Sequence, residues 1–243
     1  MTSGFRKYFA RLEGENILLK PTQPLFYGLL NTKTSGSRPF CNILNEKDFT
    51  GQPNHQNKWS IEMGKNFTEQ EWKRIYLNCT KTIEDNDLKW FQYKIINNIL
   101  GTNSLLFKIT RSNTNLCRLC NKFEEKISHL FYYCEAASTL REELCAWINN
   151  YVETPYDPTL QDIIFGTFGP PNGQTSLDFN NITLILKHYI FLSATHERPL
   201  RLSNLLQKIK KTYTEQEYIA KINFSTERFY RKWNIINRII QTV

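Results

Sequence analysis

Apolar residues fall into helical register over most of the chain after residue 66, and into no register before it. Residues 1–66 mix Gly, Pro, Ser and Thr with short apolar bursts. That texture predicts an irregular segment, with at most one helix or hairpin around residues 24–30. Thr68 and Glu71 then match a Thr-x-x-Glu capping box, in which hydroxyl and carboxylate satisfy the orphan N–H groups of a first turn. Trp72, Ile75, Tyr76 and Cys79 follow at helical spacing. A second helix is expected after Asp87, with Leu88, Phe91, Ile95, Ile96 and Ile99 on one face and Gly101 as its left-handed stop. Residues 104–109 read as a short helix, and Ser128 as the cap of a helix running to about residue 151. Pro155, Pro158 and the Gly-Pro-Pro-Asn-Gly run at 169–173 break the pattern. A largely buried helix is predicted over 182–195 and an amphipathic one over 200–212 behind Pro199. Thr214-x-x-Glu217 offers another capping box, and Ser225 a cap for the last helix.

No stretch alternates strongly enough to build a sheet, and no repeat is visible. The expected fold is mainly α: a helical domain around a metal knuckle, with an irregular N-terminal segment. The expected divisions are 1–66 as connector, 67–168 as the helical knuckle domain, 169–180 as a loop and 181–243 as a basic helical tail.

Composition sharpens the tail. The 243 residues carry a formal charge of +8. Residues 187–243 hold 11 Lys or Arg against 4 Asp or Glu, whereas the preceding 186 residues are nearly balanced. A positive field so localised favours a polyanionic partner. Apolar runs stop far short of the ~20 residues that span a bilayer, and no secretory leader is legible in the first twenty residues. A soluble, intracellular chain in cytoplasm or nucleus is therefore expected, with no membrane partner. Six cysteines are too few for a disulfide scaffold.

Four residues carry the sharpest chemistry. Cys117, Cys120, His129 and Cys134 form a Cys-x2-Cys-x8-His-x4-Cys array. Two cysteines three apart on a tight turn aim both thiolates at one cation, and a later His/Cys pair closes a Cys3His shell suited to Zn2+. Such a shell leaves no open position, so the metal is expected to be structural. Residues five apart on an ideal helix differ by about 140° around its axis, so a distorted first turn or a short turn is expected between His129 and Cys134. The competing reading makes these cysteines buried small hydrophobes and His129 an ordinary histidine. Cys41, Cys79 and Cys145 lack partners at ligand spacing and read as core. A zinc hydrolase would need a ligand position left to water and a poised carboxylate, for which Glu124 and Glu125 are the nearest in sequence.

The run Leu88-Lys-Trp-Phe-Gln-Tyr-Lys-Ile-Ile-Asn-Asn-Ile-Leu100, then Cys117-x2-Cys120, then Ile127-Ser-His-Leu-Phe-Tyr-Tyr-Cys134 resembles the zinc-binding segment downstream of the reverse transcriptase in LINE-type, non-LTR retrotransposon proteins. Asp162-Ile-Ile-Phe-Gly166, Ile185-Leu-Lys-His-Tyr-Ile-Phe191 and Phe229-Tyr-Arg-Lys-Trp233 are similar to the same tail, so the resemblance covers about residues 67–235. It implies an accessory domain that holds template RNA or target DNA during target-primed reverse transcription, beside an upstream polymerase segment. Residues 1–66 would be the connector after the polymerase thumb. No Asp-Asp pair occurs to hold polymerase Mg2+. Asp85 and Asp87 sit at a helix start, where capping suits them, and His55, His188 and His196 are isolated. No catalysis and no small-molecule substrate are therefore expected of this chain. The alternative is a zinc-stabilised structural or protein-interaction module that binds no nucleic acid.

Two surfaces are candidates for phosphate. On a single helical wheel from Arg228, the residues Phe229, Trp233, Ile236 and Ile240 share one sector, while Arg228, Arg231, Lys232 and Arg238 share another that also holds Ile235 and Ile239. Around the knuckle, Lys108, Arg111, Arg118 and Lys122 accompany Phe107 and Phe123. Aromatics beside cations suit single-stranded nucleic acid, although burial in a core is the commoner fate of such phenylalanines.

Overall fold

A computed structural model describes residues 53–82, 84–153, 155–167 and 174–242, all within a compact unit that begins at Pro53. The expected helix or hairpin at 24–30, and Cys41, lie outside the described residues, as do residues 168–173 of the Gly-Pro loop. Ten α-helices and one π-helical turn are described: α1 (Asn54–Met63), α2 (Glu69–Thr82), α3 (Asn86–Ile96), α4 (Asn103–Lys108), the π turn (His129–Tyr133), α5 (Glu135–Asn149), α6 (Leu160–Phe165), α7 (Gln174–Thr195), α8 (Leu202–Ile222), α9 (Thr226–Lys232) and α10 (Asn234–Thr242). Among the described residues, the one β feature is an isolated antiparallel bridge between Leu116 and Glu124. The fold is mainly α. No described helix is long and apolar enough to cross a membrane.

Local chemistry explains three helix starts, whereas the expected caps at Ser128 and Ser225 make no side-chain capping bond. The Thr68–Glu71 box forms, with the Thr68 N–H donating to Glu71 Oε2 at 2.8 Å and the Glu71 N–H to Thr68 Oγ1 at 3.2 Å. Asp85 caps α3 by accepting from the Asp87 and Leu88 N–H groups at 2.8 and 3.1 Å. A capping box that the pattern did not reveal, Thr159 with Asp162, opens α6, whose Ile163, Ile164 and Phe165 are buried. Gly166 follows at φ 88, where a Cβ would lie 2.4 Å from Asn78 Nδ2, so both the backbone and the space require glycine.

Several expectations are corrected. Helix α1 occupies part of the stretch expected to be irregular. It has one buried residue, Trp59, and no side-chain cap, so it has no period to read. Helix α3 ends at Ile96, and the left-handed position is taken by Asn98 at φ 56 rather than by Gly101, leaving Ile99 half-exposed. Helix α7 starts at Gln174, inside the expected loop, because its polar Asp178, Asn180 and Asn181 are buried rather than solvated. Helix α8 runs straight through the second capping box: Thr214 Oγ1 donates back to the Lys210 carbonyl at 3.0 Å instead of capping. The last helix is two, broken at Trp233 (φ −126). The break rotates α10 so that Ile235, Ile236 and Ile239 are all buried, against the single-wheel expectation that set Ile235 and Ile239 among the cations.

Helix α7 is the hub. It packs against α2, α3, α6, α8, α9, α10 and the π turn, and residues 178–187 are buried without exception. A helix buried all round loses the amphipathic signature. Its Lys187 donates to Gln92 Oε1 at 2.6 Å and to the Ile164 carbonyl at 3.2 Å, tying α7 to α3 and α6. Trp59, Phe67 and Trp72 converge edge-on on Phe165, with ring centroids 5.4–5.6 Å from it.

Candidate metal centre

The knuckle is built by backbone bonds around polar anchors. The bridge at Leu116 and Glu124 brings the Cys117 N–H to the Phe123 carbonyl (2.8 Å) and the Glu125 N–H to the Asn115 carbonyl (2.8 Å). Between them the chain turns through Asn121, in the left-handed region at φ 53, and the Asn121 N–H donates to the Cys117 carbonyl at 2.8 Å. This tight reversal sets Cys117 and Cys120 on one side. The other two donors come from the π turn. The Cys134 N–H donates to the His129 carbonyl at 2.7 Å, five residues back, and Cys134 then takes extended backbone at φ −67, ψ 126. The wider i→i+5 winding removes the conflict that an ideal α-helix poses between positions 129 and 134. The expected distortion is therefore a π turn followed by a fresh helix start.

The four donor atoms, three Sγ and one imidazole nitrogen, all lie within 4.8 Å of one another. Cys117 Sγ is 3.8 Å from Cys134 Sγ, and Cys120 Sγ is 3.4 Å from His129 Nε2. A cation about 2.3 Å from sulfur and about 2.0 Å from nitrogen, tetrahedrally coordinated, has sulfur–sulfur edges of about 3.8 Å and sulfur–nitrogen edges of about 3.5 Å. Those two edges match that geometry, and the four side chains form a cluster that can hold one metal ion. Cys117 and Cys134 are fully buried, His129 is buried and Cys120 is partly exposed.

The protonation tendencies suit ligation. Cys134 is drawn below the ordinary thiol range by the hydrogen bond from Cys117, with help from the Ala136 and Ala137 N–H groups at the start of α5. A helix N-terminus favours a thiolate in that position. Cys117, as the donor of that bond and buried, is pushed up, while the Cys120 and Leu119 N–H groups oppose the shift. Burial lowers His129, keeping the imidazole neutral and its lone pair available. Three thiols and one imidazole supply four protein donors, the number a four-coordinate metal ion takes.

Around the donors, Glu125 is fully buried and organises the loop. Its carboxylate accepts from the Asn103 N–H (2.9 Å), from the Arg118 N–H (2.7 Å), and from Arg118 Nε and Nη2 (3.0 and 2.5 Å). Arg118 also donates to Thr195 Oγ1 at 3.1 Å and lies over the Phe191 ring, joining the knuckle to the end of α7. Glu124 accepts from Ser104 Oγ at 2.5 Å and pairs with Lys126 at 3.5 Å. Neither carboxylate belongs to the donor cluster.

The candidate phosphate-binding residues divide. Arg118 faces inward and is engaged by Glu125, so it is not a surface cation. Lys232 is buried and pairs with Glu84 at 2.8 Å, a contact that Arg228 joins at 3.6 Å from a more exposed position. Arg231 and Arg238 are exposed but each has a partner of its own. Lys122 is exposed and pairs with Glu135 at 3.1 Å. Lys108 and Arg111 are exposed beside the knuckle. Phe107 and Phe123 are 49% and 63% exposed, so the expectation of burial is corrected for both. Phe123 lies 5.6 Å from His129, ring to ring. Cys145 is partly buried against the core, and the Cys79 side chain lies outside the described residues. Sequence reasoning missed the organising role of Glu125, and its only trace was a carboxylate seven residues from an arginine in a metal loop. The chain matches no protein-family model and no curated protein.

Proposed function

We propose that the Cys3His cluster holds one structural Zn2+ and that this chain is a nucleic-acid-binding accessory segment of a LINE-type retroelement reverse-transcriptase protein. In this reading it grips template RNA or target DNA beside an upstream polymerase, inside the cell, and performs no chemistry itself. The observation that carries it is the convergence of four donors, three thiols and one imidazole, at the spacing on which the resemblance rests. Three sulfurs and one imidazole select a borderline-soft, tetrahedral ion, and zinc meets both demands without redox chemistry. Lys108 and Arg111, with Phe107 and Phe123 exposed alongside, supply the cation-and-aromatic combination that single strands favour.

Fluorescence anisotropy of the metal-loaded protein with a 20-nucleotide single-stranded RNA, a single-stranded DNA and a duplex, each over a salt series, tests the reading. Micromolar or tighter binding that weakens steeply with salt is expected. A zinc-loaded protein that binds none of the three at low salt would instead be a structural or protein-interaction module.

A further inference from the structure

A cleft of about 410 Å³ opens beside the knuckle, walled by α1, the α3–α4 turn, α4 and the residues entering the π turn. Its size falls within the ~300–1,000 Å³ of ordinary ligand sites. Three lysines line it: Lys58 from α1, Lys108 from α4 and Lys126 from the knuckle. The lining includes one carboxylate, Glu62, which already accepts from the Ser128 hydroxyl. Lys126 is shared with Glu124 at 3.5 Å. Among the described residues, no ion pair or hydrogen bond engages the Lys58 or Lys108 ammonium, the Asn98 amide or the Thr102 hydroxyl. Charge and polar capacity are thus concentrated in one concavity, where Glu124 pairs with Lys126 and reaches Lys108 only at longer range.

Its other wall is apolar, formed by Ile61, Leu105 and Ile127. Unengaged ammonium groups call for an anion, and an apolar wall beside them calls for a flat or hydrophobic body joined to it. A nucleotide unit has both parts. A flexible single strand can bend one unit into such a concavity, whereas the stiff, paired bases of a duplex stay stacked outside. Asn98 holds the left-handed backbone that lets the chain turn at the cleft edge.

We infer that this cleft seats one nucleotide of a single-stranded nucleic acid, with Lys58 and Lys108 on its phosphates, Asn98 and Thr102 on its polar edge, and Ile61, Leu105 and Ile127 against its base. The assignment rests on the nucleic-acid reading above and names the surface responsible.

The test is anisotropy of a fluorescent 12-nucleotide oligouridylate with the full, metal-loaded chain across a salt series. The double variant Lys58→Glu/Lys108→Glu should bind at least about tenfold more weakly and lose about 1.4 from its salt slope, since each single-strand phosphate contact contributes about 0.7. Its metal content and melting temperature should be unchanged. Asn98→Ala/Thr102→Ala should weaken binding about threefold with the slope intact. Lys210→Glu/Lys211→Glu, with the same change of charge on α8, should lose less than about twofold. Wild-type binding that survives Lys58→Glu/Lys108→Glu unaltered, or falls equally in the α8 variant, overturns the cleft while leaving the general reading in place. Complete displacement of the oligomer by millimolar adenosine 5′-monophosphate overturns it in favour of a free nucleotide, and a wild type that binds no oligomer sinks both.

Discussion

Residues 109–126 and helix α7 reach a defined structure by different forces. Of the eighteen residues in the loop only Cys117 and Glu125 are buried, whereas the ten residues 178–187 of α7 are all buried. Apolar burial stabilises α7 at roughly 25 cal/mol for each Å² removed from water. The loop has almost none of that to draw on. Its order comes from one donor cluster, one buried ion pair and a few backbone hydrogen bonds. On the proposed reading such a region is all-or-none in its metal, while a region like α7 degrades gradually as side chains are trimmed.

Removing the metal gives the largest expected effect. In zinc-finger peptides the ion contributes roughly 10 kcal/mol or more to folding. Cys134→Ser, or chelation of the wild type, should abolish amide-exchange protection across 109–126 while α7 and α8 keep theirs, read by hydrogen exchange with mass spectrometry. Protection lost equally in loop and hub would erase the distinction between them.

Next comes Arg118→Ala. It strands the Glu125 carboxylate, fully buried, with two backbone N–H donors and no counter-charge. Breaking a buried pair from one side costs about 3–5 kcal/mol. Denaturant unfolding should show that loss, and metal affinity should drop with it because Arg118 lies between two of the ligands. A variant as stable as wild type would mean the pair is incidental to the loop.

The smallest effect concerns the hub and has a sign in pH. Asp178 is buried on α7, and burial pushes it up to about 7 from 3.8, against the opposing pull of the Ile235 and Asn234 N–H groups at the start of α10. His188, on the same helix against Phe91, is pushed down by burial to about 4 from 6.5. The folded chain keeps a proton on Asp178 that the unfolded chain releases, so that stabilisation fades as pH rises from about 4 to 7. The unfolded chain takes a proton on His188 that the folded chain refuses, so that contribution fades as pH falls from about 6.5 to 4. The two slopes oppose each other. Asp178→Asn removes the first, so its melting temperature should climb with pH between 4 and 6.5, and at pH 8 its unfolding free energy should exceed the wild-type value by up to a few kcal/mol. Superimposable pH profiles for the two proteins would show that Asp178 does not titrate as assigned.

The same contrast explains what was legible in the sequence. The donors at 117, 120, 129 and 134 could be read because ligand chemistry and spacing are local, and the strain between 129 and 134 could be read because helix geometry is fixed. The capping residues Thr68 and Asp85 were visible for the same reason. Helix α1 was hidden because one tryptophan makes no period. The break at Trp233 was hidden because nothing at that position forbids a continuous helix. It is a tertiary outcome, in which α9 and α10 each turn their apolar residues onto α7. The inward roles of Lys232 and Arg118 were equally invisible. A lysine that meets Glu84, 148 positions away, looks in sequence like any other surface cation.

The most direct measurement is X-ray absorption at the zinc edge on protein whose metal content has been counted. One zinc ion per chain with three sulfurs near 2.3 Å and one nitrogen near 2.0 Å is the expected result. Protein that folds without a stoichiometric metal, or a shell of oxygens and nitrogens lacking three sulfurs, would contradict the account at its centre.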